Sequence, residues 1–127
     1  MITVLNLFDI VTGTEGQYAE YLRRVQPILD RHGARVLLYG LTRMIYQGNC
    51  PQEFCGMIAY PSLRDLRALS RDPEFTEIRP LRDKSTRNYL LTVIEDFSTL
   101  NDAIAYLEAR IARTDECSPR PGPGVEP

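Results

Sequence analysis

The sequence of 127 residues has no tryptophan, one histidine and three cysteines. With His32 as its single histidine, the chain cannot form a multi-histidine metal site by itself. Cys50, Cys55 and Cys117 are odd in number and show no C-x-x-C spacing, which argues against a disulfide framework and a zinc ribbon. This cysteine usage favours a reducing compartment, so we expect a cytoplasmic protein.

Long apolar runs and a large net charge are also missing. No apolar segment approaches the roughly 20 residues that a membrane-spanning helix needs, and residues 1–11 lack the basic region and cleavage site of a signal peptide. The net charge of −2 creates no field that would attract nucleic acid or an acidic membrane. A glycine-rich phosphate loop and a G-x-S-x-G nucleophile motif are absent as well. We therefore predict no nucleic-acid partner, no membrane partner, no metal and no bound cofactor.

The first quarter of the chain predicts a strand followed by a helix. Residues 2–11 are almost all apolar, which is typical of a strand buried on both faces. Thr14 opens the helix, with Gln17 three residues later as in a capping box. Apolar residues then follow at helical spacing. Gly33 stands where a residue of left-handed conformation commonly ends a helix.

The middle of the chain predicts an antiparallel hairpin. Residues 34–48 are rich in β-branched and aromatic side chains and indicate a long second strand. Gly40, in the middle of that segment, suggests a bulge or a close approach of the backbone. After a turn, residues 53–60 form the returning strand.

Two short helices are predicted directly after the hairpin. Ser62 caps the first, with Asp65 as its partner acid three residues later. Asp72 caps the second, where Pro73 occupies the first helical position. Pro80 is expected to disturb this second helix. Because the chain is interrupted between the two helices, their short apolar faces can cover one curved sheet at different angles.

The last part of the chain completes an α+β fold. A fourth strand over 89–97, an amphipathic helix over 98–113 and a disordered tail over 114–127 are predicted. The order β-α-β-β-α-β is that of the ferredoxin-like fold with a four-stranded antiparallel sheet, here over residues 1–97. Two helices cover one sheet face, yet the strands are apolar on both. We therefore expect an identical chain to cover the other face, giving a homodimer.

Four short segments add a family resemblance. The segments "HGARVLLYG", "YPS", "DPEF" and "PLR", at these separations, resemble domain-of-unknown-function family thirteen-thirty, and the resemblance covers Leu5 to Glu95. That family belongs to the dimeric α/β-barrel superfamily. The resemblance implies two four-stranded sheets packed face to face in a homodimeric barrel, with the helices outside. It also implies kinship with cofactor-free monooxygenases, muconolactone-type isomerases and heme-binding enzymes.

Three residues are candidates for catalysis. Histidine is the side-chain type whose unperturbed pKa lies near neutrality, so His32 can act as a base, although at a helix end its positive form also complements the helix dipole. Asn6 is a polar residue inside an apolar strand; its amide is satisfied either by the backbone or by a ligand. Arg43, in the apolar stretch "YGLTRMIY", suits an enolate or carboxylate oxygen, or else a dimer interface.

Four further residues are candidates for substrate binding. Tyr18 and Tyr21 lie on the helix face that turns toward the sheet, and Tyr60 ends the third strand. Their hydroxyls suit a ligand, although aromatic residues at such spacing also serve as core. Arg82 is part of the segment "PLR" that resembles the family. Its guanidinium either binds a carboxylate of the substrate or is exposed to solvent.

These observations favour a homodimer that binds a small organic molecule in a pocket between sheet and helices. Proton transfer or oxygenation of an enolisable compound, without a cofactor, is the expected chemistry. The alternative is a non-catalytic module for ligand binding or assembly. A third reading is a heme-binding protein with His32 as the axial ligand, for which a helix-terminal histidine is poorly suited.

Overall fold

The computed structural model describes residues 1–49 and 52–116, without side-chain detail for 114–116. The predicted disordered tail therefore lies, from residue 117 onward, outside the described residues. The described residues fold into four strands and four helices: β1 Ile2–Ile10, α1 Glu15–Arg31, β2 Arg35–Leu41, β3 Phe54–Tyr60, α2 Leu63–Arg71, α3 Pro73–Ser85, β4 Thr86–Glu95 and α4 Leu100–Glu116.

The four strands form one sheet in the order β2-β3-β1-β4. Every neighbouring pair is antiparallel. With β1 and β3 in the centre and the crossover helices on one side, this is the ferredoxin-like α+β arrangement. The predicted fold and the additional C-terminal helix are confirmed.

The break between α2 and α3 follows the predicted capping residues. The Ser62 hydroxyl accepts a hydrogen bond from the Asp65 N–H at 3.3 Å, and the Asp72 carboxylate accepts one from the Glu74 N–H at 2.9 Å. Pro80, however, does not interrupt α3, which continues to Ser85. Its side chain is exposed, so the helix loses one backbone hydrogen bond on its solvent side and keeps its apolar side on the sheet.

The predicted capping box at Thr14 is wrong. The Thr14 hydroxyl donates to the Val11 carbonyl at 2.6 Å and makes no cap hydrogen bond to the helix. The side chain of Glu15 instead accepts a hydrogen bond from the N–H of Gly13, whose φ is +96°. The helix therefore begins after a tight turn that only glycine adopts without strain.

Strand β2 is shorter than predicted. It ends at Leu41, opposite the first residue of β3, Phe54. One further backbone hydrogen bond follows this pair, donated by the Thr42 N–H to the Glu53 carbonyl. The bulge also lies elsewhere, because Val36 and Leu38 oppose consecutive residues of β3 and leave Leu37 as the extra residue. Gly40 is paired normally.

The core lies between the sheet and the helices α1, α2 and α3. Even-numbered residues of β1 face this layer because side chains alternate along a strand. Phe8 is fully buried, and Ile28 of α1 and Ile78 of α3 are almost completely buried beside the same sheet face. A mixed aromatic and aliphatic layer of this kind is the main source of stability in a domain of this size.

The opposite sheet face carries apolar side chains that no element of residues 1–96 covers. They are only partly buried or exposed, with Leu90 at 43% and Ile94 at 40% exposure. The members of this open face are Leu5, Leu7, Leu38, Cys55, Met57, Leu90 and Ile94.

The described residues from Phe97 to Glu116 belong to a second compact unit. Within it the Phe97 and Tyr106 rings lie 5.4 Å apart. Helix α4 has an exposed apolar stripe of Leu100, Ile104, Leu107 and Ile111, which matches the predicted amphipathic pattern. Within the described residues, no helix combines the length and apolar character needed to cross a membrane.

Candidate functional site

A cavity of about 380 Å³ lies between the sheet and helices α1, α2 and α3. Most of its wall is aliphatic or aromatic. The exposed side chains of Gln26, Ser70 and Arg79 mark where it reaches the surface. Its volume suits a small organic molecule.

The Phe8 ring organises the aromatic part of the site. Its centroid lies 5.3 Å from that of Tyr18, 5.5 Å from that of Phe54 and 5.6 Å from that of Tyr89. The Tyr18 hydroxyl makes a hydrogen bond with the Tyr39 hydroxyl. Because the rings are packed against a buried centre, the hydroxyl groups have fixed positions on the cavity wall.

Two β-bulges shape the tyrosine positions. In β2 the extra residue Leu37 shifts the alternation, so that Tyr39 shares the helix-facing side with Val36. In β4, Asn88 has a φ of +54° and lies at the bulge next to Tyr89. The Asn88 side chain donates to the Asp9 carboxylate at 2.8 Å, and this bond lowers the pKa of Asp9. Bulges beside a cavity commonly redirect side chains in this way.

Asn6 contributes a polar group at the sheet floor. Its side chain is 8% exposed, and its Nδ2 donates to the Tyr89 hydroxyl at 3.2 Å. Its Oδ1 is buried and has no hydrogen-bond partner in the part of the chain that the structure describes. An unpaired buried oxygen costs about 1–3 kcal/mol, so a ligand that donates to it gains that amount back.

Arg82 supplies a positive charge to the wall. Its guanidinium carbon lies 5.0 Å from the Tyr89 ring centroid and 5.7 Å from that of Phe75. Its carboxylate partner is Asp83, at 3.2 Å, which also pairs with Arg79 at 3.8 Å. One exposed carboxylate thus serves two guanidinium groups, which leaves the wall positive.

The tyrosines of the site are neutral hydrogen-bond donors at physiological pH. Burial raises the pKa of Tyr39 and of Tyr60 to about 12. Burial likewise raises the pKa of Tyr18, Tyr21 and Tyr89. In Tyr21 and Tyr89 the nearby positive charge of Arg82 partly offsets this rise. A neutral hydroxyl can donate to an anionic oxygen but is a poor base.

Comparison with known proteins identifies the family. The profile of the family described as "Domain of unknown function (DUF1330)" matches residues 5–97, most of the chain. The chain belongs to this family. No curated protein is significantly similar to it in sequence.

Solved structures share the fold of this DUF1330 domain. A protein of unknown function from Rhodopseudomonas palustris is 22% identical, with a TM-score of 0.66 over 75% of this chain and 81% of that chain. A dimeric ferredoxin-like protein of unknown function from Jannaschia sp. CCS1 is 15% identical, with a TM-score of 0.64 over 75% and 98%. An antibiotic biosynthesis monooxygenase is 16% identical, with a TM-score of 0.55 over 76% and 98%.

Five of the predicted site residues lie together in the DUF1330 domain. Asn6, Tyr18, Tyr21, Tyr60 and Arg82 all line the cavity. They come from β1, α1, β3 and α3, four elements that the fold brings around one space.

The structure places His32 and Arg43 away from that wall. The His32 Nε2 lies 2.8 Å from the Asp72 carboxylate, which also accepts from Arg31 at 2.8 Å. The bonds from His32 and then Arg31 lower the pKa of Asp72. His32 therefore belongs to a polar cluster at the helix ends. Arg43 is exposed and follows the last residue of β2.

Two residues that were not predicted to belong to the site also contribute to it, Gly56 from beside the wall and Arg79 from within it. Gly56 lies opposite Asn6 and under the Tyr39 ring, where an added Cβ would be 2.8 Å from Cε2 of that ring. Arg79 lies on the α3 side. Among the described residues, no aspartate, glutamate or histidine lines the cavity, and no group of three or more His, Cys, Asp or Glu residues could hold a metal ion.

Gly56→Ala is expected to displace the Tyr39 ring and break its hydrogen bond with Tyr18. Because the close contact is with the edge of a side-chain ring and not with backbone, the protein should fold but lose about 1 kcal/mol, the net value of one hydrogen bond. Urea unfolding measures the loss. The control is Gly16→Ala, a helical position with nothing within 4 Å of the added Cβ, which should be neutral or stabilising. Equal stability of both variants would show that the ring does not depend on Gly56.

Proposed function

We propose that this protein is a homodimer that binds a small organic molecule in the cavity of each subunit and stabilises negative charge on an oxygen of that molecule. The observation that carries the proposal is the set of donors on the cavity wall, where the Arg82 guanidinium lies over the Tyr89 ring among buried tyrosine hydroxyls. The buried Oδ1 of Asn6, which has no partner among the described residues, can accept from a donor on the same molecule. A cavity whose remaining wall is apolar and which has a few convergent polar groups is typical of a ligand site.

The open sheet face supports the homodimer. Its apolar side chains are only partly buried or exposed in a single chain, and the dimeric protein from Jannaschia has the same fold. Packing two such faces together through a twofold axis buries both at once. A soluble, cytoplasmic location remains a prediction from the cysteine content.

The proposed chemistry is cofactor-independent proton transfer at an enolisable carbon. Loss of the C–H proton leaves the electron pair on an enolate, whose oxygen accepts hydrogen bonds from neutral tyrosines and Arg82. The proton leaves to water, because no carboxylate or imidazole of the described residues lines the cavity. An oxygenation would add dioxygen as the co-reactant to the same carbanion.

The second candidate function is ligand binding without catalysis. The same lack of a base on the wall favours it, since general-base catalysis needs a group within hydrogen-bond reach of the proton. Both candidates use the same residues, and they differ only in whether a bound ketone is enolised.

Hydrogen–deuterium exchange of 2-tetralone in D₂O separates the two candidates. This bicyclic ketone has an enolisable carbon next to an apolar ring. We expect the protein to accelerate its exchange over buffer, measured by proton NMR, and Tyr18→Phe to reduce the acceleration by at least about 10-fold through loss of one donor to the enolate.

Tyr106→Phe is the matched control, because Tyr106 lies on α4 in the second unit. It should exchange 2-tetralone at the wild-type rate. Binding without accelerated exchange, seen as saturation-transfer signals of the ketone, would replace the catalytic proposal with the binding module. Absence of both would refute enolisable ketones of this kind as ligands of the cavity.

A further inference from the structure

The cavity has more positive than negative charge within reach. Arg79 and Arg82 both line it, and the carboxylate of Asp83 lies near both guanidiniums. The side chain of Arg82 is only 18% exposed, whereas that of Asp83 is 55% exposed. Since Asp83 is largely solvated, it screens the more deeply placed Arg82 weakly. An anion bound in the cavity could therefore pair with the Arg82 guanidinium, because Asp83, the carboxylate that competes for it, is mostly solvated.

The Asn6 side chain lies beside the same tyrosine as this charge. The Tyr89 hydroxyl accepts from Asn6 Nδ2, and the Arg82 guanidinium packs over the Tyr89 ring and interacts with its hydroxyl. The Asn6 amide and the Arg82 guanidinium thus both contact Tyr89. A ligand beside Tyr89 with two neighbouring polar groups can address both residues.

These groups have opposite requirements. Arg82 has only donors to offer and needs an acceptor, best an anionic one. Asn6 Oδ1 is an acceptor and needs a donor such as a hydroxyl. The rest of the nearby wall is apolar, with Val4, Val25, Leu29, Ile58 and Leu69 among its members. The ligand therefore needs an apolar body and one polar end.

We propose that the ligand is a small 2-hydroxy acid or a related compound with adjacent hydroxyl and anionic oxygens, such as an enediolate. Its anionic oxygen pairs with Arg82, its hydroxyl donates to Asn6 Oδ1, and its apolar body fills the space under α1 and α2. This inference rests on the proposed function, because it assigns the chemical class to the ligand of the same cavity.

Three related probes test the inference with the full chain. Mandelate has the phenyl body, the carboxylate and the adjacent hydroxyl; phenylacetate lacks the hydroxyl; mandelamide lacks the charge. By NMR titration, mandelate should bind about 10- to 100-fold more tightly than mandelamide, the value of one hydrogen bond to a charged group, and about 10-fold more tightly than phenylacetate.

Two variants test which protein residue recognises the charge and which recognises the hydroxyl of the ligand. Arg82→Met should remove the preference for mandelate over mandelamide, and Asn6→Leu should remove the preference for mandelate over phenylacetate. Arg24→Met is the control, because Arg24 is exposed, pairs with Glu77 and does not line the cavity. Circular dichroism confirms that each variant is folded before titration.

The outcomes separate this inference from the proposed function. If all three probes bind wild-type protein equally, the cavity is a ligand site but the 2-hydroxy acid is wrong. The same conclusion follows if the preferences persist in both Arg82→Met and Asn6→Leu. If neither these probes nor 2-tetralone bind, the proposed function fails and the inference fails with it.

Discussion

Leu7→Lys is expected to convert the proposed dimer into a folded monomer. Leu7 lies on β1, in the middle of the open face, between Cys55 of β3 and Leu90 of β4. In a twofold dimer the substitution places two unpaired ammonium groups in one apolar interface. Each costs several kcal/mol to bury, so the dimer dissociation constant should rise by about 1,000-fold or more. Sedimentation velocity at micromolar concentration measures the change.

Leu63→Lys is the matched control for this prediction. Leu63 is an exposed leucine at the start of α2, on the helical side of the sheet. The same substitution there should leave the dimer intact. A wild-type protein that sediments as a monomer, or a Leu7→Lys protein that remains a dimer, would contradict the assignment of the open face. In the monomeric variant the cavity should still bind ligand, because its described wall comes from one chain.

The fold was predictable because its determinants are local and redundant. Ser62 and Asp72 each place a cap at a helix start, and both caps form as expected. Apolar periodicity distinguishes strands from helices independently of those caps. The ends of strands were less predictable, since a strand ends where its partner ends. The apolar stretch after Leu41 has strand composition, yet its pairing with β3 stops there.

The site was predictable only in part, and for a related reason. Tyr18 and Tyr21 were located by helical spacing, which the structure follows throughout α1. The sequence does not show that Tyr39 faces the helices, because strict alternation does not reveal the extra residue Leu37. The partner of His32 was equally hidden, since Asp72 is 40 residues away along the chain. Contacts of this range depend on the assembled fold rather than on local pattern.

Phe8→Ala is expected to lower the free energy of unfolding by about 3–5 kcal/mol, the usual cost of removing a fully buried phenylalanine ring. Phe8 has 0% exposure and packs against four other rings, those of Tyr18, Tyr39, Phe54 and Tyr89. The void would lie under Tyr18 and Tyr89, so the hydroxyl groups should lose their fixed positions as well. Urea denaturation gives the first effect, and weaker binding of mandelate gives the second.

Two control variants, Phe8→Leu and Phe97→Ala, are compared with Phe8→Ala. They separate the loss of packed volume from the loss of the ring that supports the tyrosines. Phe8→Leu retains much of the volume, so it should cost less than Phe8→Ala while still weakening the support of Tyr18. Phe97→Ala removes a ring that is 44% exposed in the second unit and should change stability by less than about 1 kcal/mol. If Phe8→Ala and Phe97→Ala cost the same, the aromatic cluster does not stabilise the domain. If Phe8→Ala destabilises the fold yet binds mandelate normally, the ring supports the core alone, and the tyrosine positions are set by the two bulges.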